Sequence, residues 1–464
     1  MIRVFGYYVA KIYLYLGMME AIIFFAALSL GVRTRFGWTL TEDLDAQTVT
    51  VTALVFAIVM LVAMVAMGLY QRGVQEQEAG FPVRVGIAFL LGAAILAVVF
   101  YVFPSIFIGR GVIGLSLLYS LIGIFVTRAI FTRFASVDAR KRRVLVVGAG
   151  LNAQSIEALV EEDPGLGFTV AGYVPLPECN PQVPAGKLVV EPGPLLDLAI
   201  AYEADEIVVA ADDRRNSLPV NDLLDCKMSG FEVHDLLGFF EKELAIVKID
   251  LLHPSWIFFS PGFHMGVTGL YGKRLFDIAA SVLMLGVAAP IMGLVALASL
   301  IESRGRDPVF YHQVRVGQNG GLFRLHKFRS MRVDAEADGV PQWASKNDTR
   351  MTRLGAFLRK TRLDELPQIL NVLKGHMSLV GPRPERPEFV ERLSASIPYY
   401  CERHRVKPGV TGWAQLLYPY GSTENDAKRK LEFDLYYVKH AGIVLDLIIL
   451  LQTVEVVLLG KGAR

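Results

Sequence analysis

The sequence predicts a membrane protein of mixed class. It has a four-helix transmembrane bundle, an α/β domain built on a parallel sheet, a membrane helix that enters and leaves on the same side, and a small α/β domain at the end. Three observations predict this. Four apolar runs of about 20 residues open the chain, the length that crosses a hydrocarbon core of about 30 Å. A strand, a glycine turn and a helix start follow at Arg143, in the order that builds a parallel sheet. A fifth apolar run carries Pro290 near its middle and basic residues on both flanks.

The chain has 464 residues, of which 53% are hydrophobic. Its mean hydropathy of +0.41 is that of a chain with membrane segments. The formal net charge is +2, so no global field favours nucleic acid, which is not expected as a partner. Cys179, Cys226 and Cys401 lie far apart without a CxxC or a paired histidine, against a disulfide framework and against zinc. A reducing cytoplasm suits the soluble parts. The run after Met1–Lys11 has no small-residue cleavage site before the next run, so no cleavable signal is expected.

The first block covers residues 1–135. Its apolar runs are Ile12–Val32, Val49–Tyr70, Val83–Phe103 and Ile113–Phe131. None has a polar face, which excludes a soluble helical bundle. Glu20 lies inside the first run and is a functional candidate by position, or an ion-pair partner within the block. Arg3, Lys11, Arg72 and Arg84 fall on one side of the runs, joined after the fourth by Arg128, Arg133, Arg140, Lys141, Arg142 and Arg143. The opposite loops carry Arg33, Arg35 and Arg110 together with Glu42, Asp43 and Asp45. The balance puts both ends of the block on the cytoplasmic side of the membrane.

Residues 136–252 read as a Rossmann-like α/β domain. Val144–Val147 form a buried strand and Gly148-Ala149-Gly150-Leu151-Asn152-Ala153 is a GxGxxA turn, the kind that brings a backbone close to a phosphate at a helix start. Further strands are expected at Phe168–Val174 and Glu206–Ala211. The second ends without the acidic residue that would hold a ribose, so the domain reads as a scaffold, with a regulatory nucleotide site as the alternative. A linker, 253–272, contains the aromatic stretch Pro254–Phe259, which suits a membrane interface.

The fifth run, 273–303, is long enough to span. Pro290 removes the bond to the Gly286 carbonyl and pushes Ala289 out of the helical region. Lys273 and Arg274 precede the run and Arg304, Arg306 and Arg315 follow it. A crossing would carry everything after it outside, so the run is expected to dip in, bend and return, with Ser281 or a neighbour helping to satisfy the break.

Residues 304–464 carry the chemistry. Gln313–Gly321 and Phe323–Arg332 interleave basic residues with glycines and aromatics, a composition that suits phosphates and a flat base. Arg353–Thr361 has helical apolar spacing and is followed by Asp364 and Glu365; Pro367 is best tolerated if a second helix begins near Asp364, which would place both carboxylates at its N-terminus. Gly381-Pro382-Arg383-Pro384 is a rigid turn presenting one guanidinium, a fork suited to phosphate. Lys407–Gln415 is a second basic, glycine-rich turn, and Asp434 lies on an aromatic helix. The set fits phosphoryl transfer: a carboxylate nucleophile, a neighbouring carboxylate for Mg²⁺, and cations for the oxyanions. The bland alternative is a salt-bridged surface. Ile443–Leu459 is read as a helix on the core or at the membrane interface.

From about Tyr271 to the C-terminus the chain resembles the bacterial sugar transferases, the monotopic polyprenyl-phosphate phosphoglycosyl transferases. The motifs are Lys273-Arg274-Leu275-Phe276-Asp277, Lys327-Phe328-Arg329-Ser330-Met331, Leu363-Asp364-Glu365-Leu366-Pro367-Gln368, Gly381-Pro382-Arg383-Pro384 and Lys407-Pro408-Gly409-Val410-Thr411-Gly412. The upstream half, with Pro254–Phe263, is similar to the long-form branch found with exopolysaccharide and exosortase systems. The resemblance implies a small α/β catalytic domain on a re-entrant helix. It implies attack of Asp364 on the sugar-linked phosphorus of a UDP-sugar with release of UMP, then transfer to undecaprenyl phosphate in the lipid bilayer. Glu365 would hold Mg²⁺, and Lys327, Arg359, Arg383 and Asp434 would be further site residues. A hexose, glucose or galactose, is favoured by analogy, and a homodimer is the expected assembly. The family's helix break is a Ser-Pro pair where this chain has Ala289-Pro290, so no hydroxyl patches the break from that position. Two rivals remain. A membrane-bound nucleotide-sugar dehydratase or epimerase needs a Tyr-x-x-x-Lys pair, which Arg143–Asp250 lacks. A non-enzymatic membrane scaffold would leave Asp364 as an ion-pair partner.

Overall fold

A computed structural model describes the chain apart from residues 1, 5–6, 10, 38–44, 71–79, 135–140, 164, 178–179, 191–192, 214–217, 264–265, 334–349, 420, 422 and 459–464. Arg72, Glu42, Asp43, Arg140 and Cys179 lie outside the described residues. Cys226 is a buried free thiol and Cys401 an exposed one.

Two short strands, β1 (Ile2–Val4) and β2 (Tyr7–Val9), pair antiparallel at the start. Four helices follow: α1 (Lys11–Phe36), α2 (Ala46–Ala66), α3 (Phe81–Val102) and α4 (Arg110–Phe134). Each contains a stretch long and apolar enough to cross a membrane. α1 packs on α2 and α4, and α2 packs on α3. Phe24, Phe56, Met60 and Leu96 fill the space between them. Glu20 is fully buried there, with Arg128 Nε 2.6 Å from its Oε1 and the Tyr70 hydroxyl donating to its Oε2. Arg84 is likewise buried and donates to Glu455 Oε1 at 2.7 Å. These two arginines therefore correct the sequence reading, which counted both as loop charges. A cation in apolar surroundings needs a partner, and each finds a carboxylate.

The second unit is an α/β layer. Its elements are β3 (Arg142–Val147), α5 (Leu151–Glu162), β4 (Phe168–Val174), α6 (Leu195–Ala201), β5 (Glu206–Val209), α7 (Val220–Met228), β6 (Glu232–Asp235) and α8 (Leu236–Leu244). The strands are all parallel in the order β4-β3-β5-β6. β6 escaped the sequence reading because Glu232, His234 and Asp235 leave it without an apolar run. Gly148 has φ +121°, and a Cβ there would stand 2.5 Å from the Ala210 carbonyl. At the start of α5 the Asp212 carboxylate accepts the amides of Leu151 and Asn152 at 3.0 and 2.8 Å. An internal anion thus takes the donors that the glycine turn would aim at a phosphate. Glu206, Glu232 and His234 also converge, but the Lys242 ammonium sits among them at 2.6, 3.1 and 3.1 Å, making an ion-pair cluster.

The aromatic stretch forms a helical turn, α9 (Pro254–Phe259), with Phe258 and Phe259 exposed. α10 (Val267–Ser303) follows as one continuous helix, about 55 Å long at 1.5 Å per residue. The backbone stays helical through Ala289 and Pro290, so Ala289 does not leave the helical region as expected. Ser281 is buried with its Oγ unpartnered, so it does not supply the expected patch. Both ends of α10 rest on the same C-terminal unit. Lys273 donates to the Val380 carbonyl and the Tyr437 hydroxyl, both at 3.2 Å, and pairs with Asp446. Asp277 accepts from Ser378 Oγ and the Leu379 amide, both at 3.1 Å. At the far end Val295 packs on Phe328 and Leu358, and Glu302 accepts the Leu354 amide at 2.9 Å. Between these anchors Leu283, Val287 and Leu294 are about 70% exposed.

The C-terminal unit contains the hairpin β7 (Phe310–Val316) and β8 (Leu322–Phe328), then α11 (Arg353–Thr361), α12 (Gln368–Leu373), β9 (Ser378–Val380), α13 (Pro387–Ser396), β10 (Gly409–Thr411), α14 (Trp413–Leu417), α15 (Glu424–His440) and α16 (Ile443–Leu458). β7 and β8 pair antiparallel, and β9 and β10 pair parallel. Leu379, Tyr436, Tyr437 and Ile449 share one core with Leu237, Val247 and Ile249, so the α/β layer and this unit are packed together. α16 joins the parts of the chain: Asp446 near its start binds Lys273, and Glu455 near its end binds Arg84.

Candidate active site

The carboxylates stand in a single 3-10 turn, Leu363–Glu365, between α11 and α12. Thr352 caps α11 by accepting the Gly355 amide at 2.9 Å, and Arg362 ends it in the left-handed region with φ 59°. Gly355 has a reason to lack a side chain: a Cβ would stand 2.0 Å from the Ser330 carbonyl. α11 therefore lies directly on the end of β8, and Arg359 Nε reaches Ser330 Oγ at 3.1 Å. α12 starts at Gln368 and has six residues, so the expected placement of Asp364 and Glu365 at a helix N-terminus is corrected.

Lys327, on β8, donates to Glu365 Oε1 at 3.0 Å, and Arg383 NH2 reaches the same oxygen at 3.3 Å. Asn371 on α12 holds β8 in register for this, accepting the His326 amide at 3.0 Å and donating to the Arg324 carbonyl at 2.7 Å. Burial pushes the Glu365 carboxyl up, but Lys327, Arg383 and Arg362 outweigh it and hold the group well below the usual carboxylate range. Burial raises Asp364, and the Glu365 charge beside it adds to the rise, against Lys327 and Arg359. One carboxylate is thus fixed as an anion while its neighbour keeps a more basic oxygen. Were Asp364 the nucleophile that the resemblance implies, it would have to be ionised, and activity would fall as pH drops through its pKa. The acid limb of a pH–rate profile should lie above the ordinary aspartate value of about 3.9. A limb at or below that value would contradict the environment described.

Arg383 is set by a backbone arrangement built from glycines of two motifs. A Cβ on Gly381 would lie 2.3 Å from the Lys407 carbonyl, one on Gly409 2.1 Å from the Gly381 nitrogen, and one on Gly412 2.2 Å from the Gly381 carbonyl. The two turns touch main chain to main chain. Gly409→Ala should therefore destabilise the C-terminal unit by about 3 kcal/mol or more. The check is the thermal midpoint of the purified chain; an unchanged midpoint would show that the turns can separate freely. Lys273 and Asp277, from the first motif, clamp β9 just before this turn and are structural anchors.

Asp434 lies on α15, buried, with its Oδ2 2.7 Å from Arg403 NH2. Arg403 also donates to the Tyr400 hydroxyl at 2.8 Å and to the Arg383 carbonyl at 3.0 Å. Burial pushes the Tyr400 hydroxyl up to about 12, so it stays protonated. Arg403 and Gln415 were missed by the sequence reading. Arg403 sits in Arg403-His404-Arg405, which carries no motif signal, and Gln415 Oε1 accepts from Arg383 NH1 at 3.3 Å. The structure gathers Lys327, Arg359, Asp364, Glu365, Arg383 and Asp434 around one cavity of about 510 Å³. Arg315, Arg362, Arg386 and Lys430 add positive charge to its walls, and Phe389, Leu393, Ala414 and Tyr418 add an apolar side.

Neither Asp364 nor the Glu365 Oε2 atom has a hydrogen-bond partner among the described residues, leaving hard oxygen donors facing the cavity. That donor chemistry suits an oxygen-seeking divalent cation completed by substrate phosphates.

A family model described as bacterial sugar transferase matches residues 268–460. The chain is 39% identical over 271 residues to the UDP-N-acetylgalactosamine-undecaprenyl-phosphate N-acetylgalactosaminephosphotransferase of Aeromonas hydrophila, covering 57% of this chain and 61% of that protein. It is 35% identical over 344 residues, 72% of each chain, to the UDP-glucose:undecaprenyl-phosphate glucose-1-phosphate transferase of Klebsiella pneumoniae. It is 45% identical over 200 residues to the exopolysaccharide production protein PSS of Rhizobium leguminosarum bv. phaseoli, 41% of this chain and 97% of that one. The second of these similarities extends well beyond the C-terminal unit, and the motif residues of that unit build the cavity around Asp364: the chain belongs to the bacterial sugar transferase family.

Proposed function

We propose that this protein transfers a sugar 1-phosphate from a UDP-sugar to undecaprenyl phosphate. The observation that carries the reading is Asp364, buried and unpartnered beside a Glu365 held anionic by Lys327 and Arg383, in a cavity walled by arginines. An Asp364 oxygen attacks the sugar-linked phosphorus. The bond from that phosphorus to the bridging oxygen breaks, and UMP leaves with the electron pair. A phosphate oxygen of undecaprenyl phosphate then attacks the phosphoaspartyl group, freeing the Asp364 carboxylate and forming the lipid diphosphate sugar. Arg383, Lys327 and Arg359 face the charge that builds on the phosphoryl oxygens. Bound at Glu365, Mg²⁺ would supply Lewis-acid neutralisation of the diphosphate. Glucose or galactose is the proposed sugar, in line with the glucose-specific name of the Klebsiella pneumoniae relative, matched over 72% of this chain. The product would open exopolysaccharide assembly on the cytoplasmic face of the inner membrane.

The membrane placement is supported by α10. A helix that crossed would carry its C-terminal end away from the unit holding its N-terminal end. Here Lys273 and Glu302 touch the same unit, and the exposed apolar middle is left for lipid. The reading is tested with the purified chain, Mg²⁺, undecaprenyl phosphate and a panel of UDP-sugars. UMP released with one hexose donor is the expected result. Absence of UMP with every donor overturns it.

A further inference from the structure

Two motif cations take no part in the cavity around Asp364. Arg274 and Lys407 are absent from its walls and meet instead at Gly375, on the turn after α12. A Cβ on Gly375 would stand 3.5 Å from Arg274 NH2 and 3.7 Å from Lys407 Nζ. Arg274 is held there by the last carbonyls of α12, donating to Val372 at 2.6 Å and Leu373 at 2.7 Å. Lys374 and His376 flank the pair and are exposed, and Arg324 lies across an open groove that both of them line. Among the described residues no carboxylate forms a salt bridge with Arg274, Arg324, Lys374 or Lys407. Elsewhere this protein pairs its buried cations with acids, as at Arg84, Arg128, Lys242 and Arg403. Here like charges are brought together without a direct ion-pair partner, the Asp277 carboxylate acting on Lys407 only from a distance.

The position of the group says what completes it. Arg274 belongs to the first turns of α10, where Leu270, Tyr271 and Leu275 are 52%, 74% and 69% exposed. That apolar surface continues into the exposed middle of α10. A cationic cluster at the edge of an apolar helix face matches a molecule with an anionic head and hydrocarbon tails.

We propose that Arg274, Lys374, His376 and Lys407 form a docking site for the phosphate headgroup of an anionic membrane lipid, separate from the Asp364 cavity. The site fixes the depth at which α10 enters the bilayer. It rests on the reading of α10 as a membrane helix. Mechanically, lipid phosphate at Gly375 anchors the end of α12 that is joined, through Asn371, to the strand carrying Lys327.

The full chain, immobilised in detergent, is exposed to mixed micelles holding equal phosphatidylglycerol and phosphatidylcholine, and the retained lipids are quantified. The wild type should retain phosphatidylglycerol over phosphatidylcholine. Lys374→Gln/His376→Gln/Lys407→Gln should lower that preference by about thirtyfold, since it removes two lysine charges and each Lys near a lipid surface is worth about one kcal/mol. The exposed pair Lys374→Gln/His376→Gln should lower it in the same direction and keeps the test open should the triple variant not fold. Equal retention of the two lipids by the wild type, or no change in either folded variant, overturns the site. Displacement of phosphatidylglycerol by millimolar inorganic phosphate overturns the lipid as its source. Retention of neither lipid would instead overturn the membrane reading of α10.

Discussion

Asp364→Asn abolishes UMP release, with turnover expected to fall by at least about 10⁴-fold, as for loss of a nucleophile in other covalent mechanisms. The substitution keeps the shape of the side chain and removes only the oxygen that attacks. Its effect on stability should be small and favourable in sign. Burial raises the Asp364 pKa in the folded chain, so ionised Asp364 at neutral pH opposes folding and a neutral amide relieves that opposition. The thermal midpoint should hold or rise while activity disappears. Two measurements on one variant separate catalysis from folding: turnover within tenfold of wild type would remove Asp364 as the nucleophile, and a large fall in the midpoint would contradict the burial argument. Glu365 has the opposite character. Three cations outweigh its burial, so in the proposed mechanism it would serve as a fixed charge and a metal donor, not as the group that is phosphorylated.

Arg403→Met has the largest expected effect on the fold. Arg403 is buried and bridges Asp434, Tyr400 and the Arg383 carbonyl. Its removal leaves the Asp434 carboxylate either charged without a partner or forced to take a proton. Breaking a buried pair from one side costs about 3–5 kcal/mol. The Gly381–Pro384 turn also loses the donor that holds its carbonyl, so the Arg383 guanidinium drifts from Glu365 and turnover should fall by about 100-fold in the folded fraction. The double variant Arg403→Met/Asp434→Leu removes both charges and should recover most of the stability. It should not recover turnover, because the Arg383 carbonyl is still unheld. Recovery of both would mean that the pair serves stability alone, and full stability in the single variant would mean that Asp434 finds another partner.

The membrane runs were legible because hydrocarbon solvent imposes length and composition on a helix regardless of what it packs against. The GxGxxA turn, the β3 and β4 strands and α11 were legible for similar reasons: short-range spacing dictates each. Asp364, Glu365, Lys327, Arg359, Arg383 and Asp434 were legible through motif identity, and the structure brings them to one cavity. Spacing along the chain could not show how they are joined. It put the carboxylates at a helix N-terminus, whereas Arg362 turns left-handed and leaves them on a 3-10 turn.

What the sequence determined by itself was the inventory: which segments are apolar, which turns must be glycine or proline, and which carboxylates and cations the family chemistry requires. The tertiary structure alone decided the pairings. Arg84 with Glu455, Arg128 with Glu20, and Arg403 with Asp434 join residues far apart in the chain, and Arg274 with Lys407 are brought together as like charges. Such meetings depend on how helices cross and which strands lie adjacent, and no local period encodes them. The same physical fact explains both outcomes: a buried charge is costly until it is met, and only the folded chain determines what meets it.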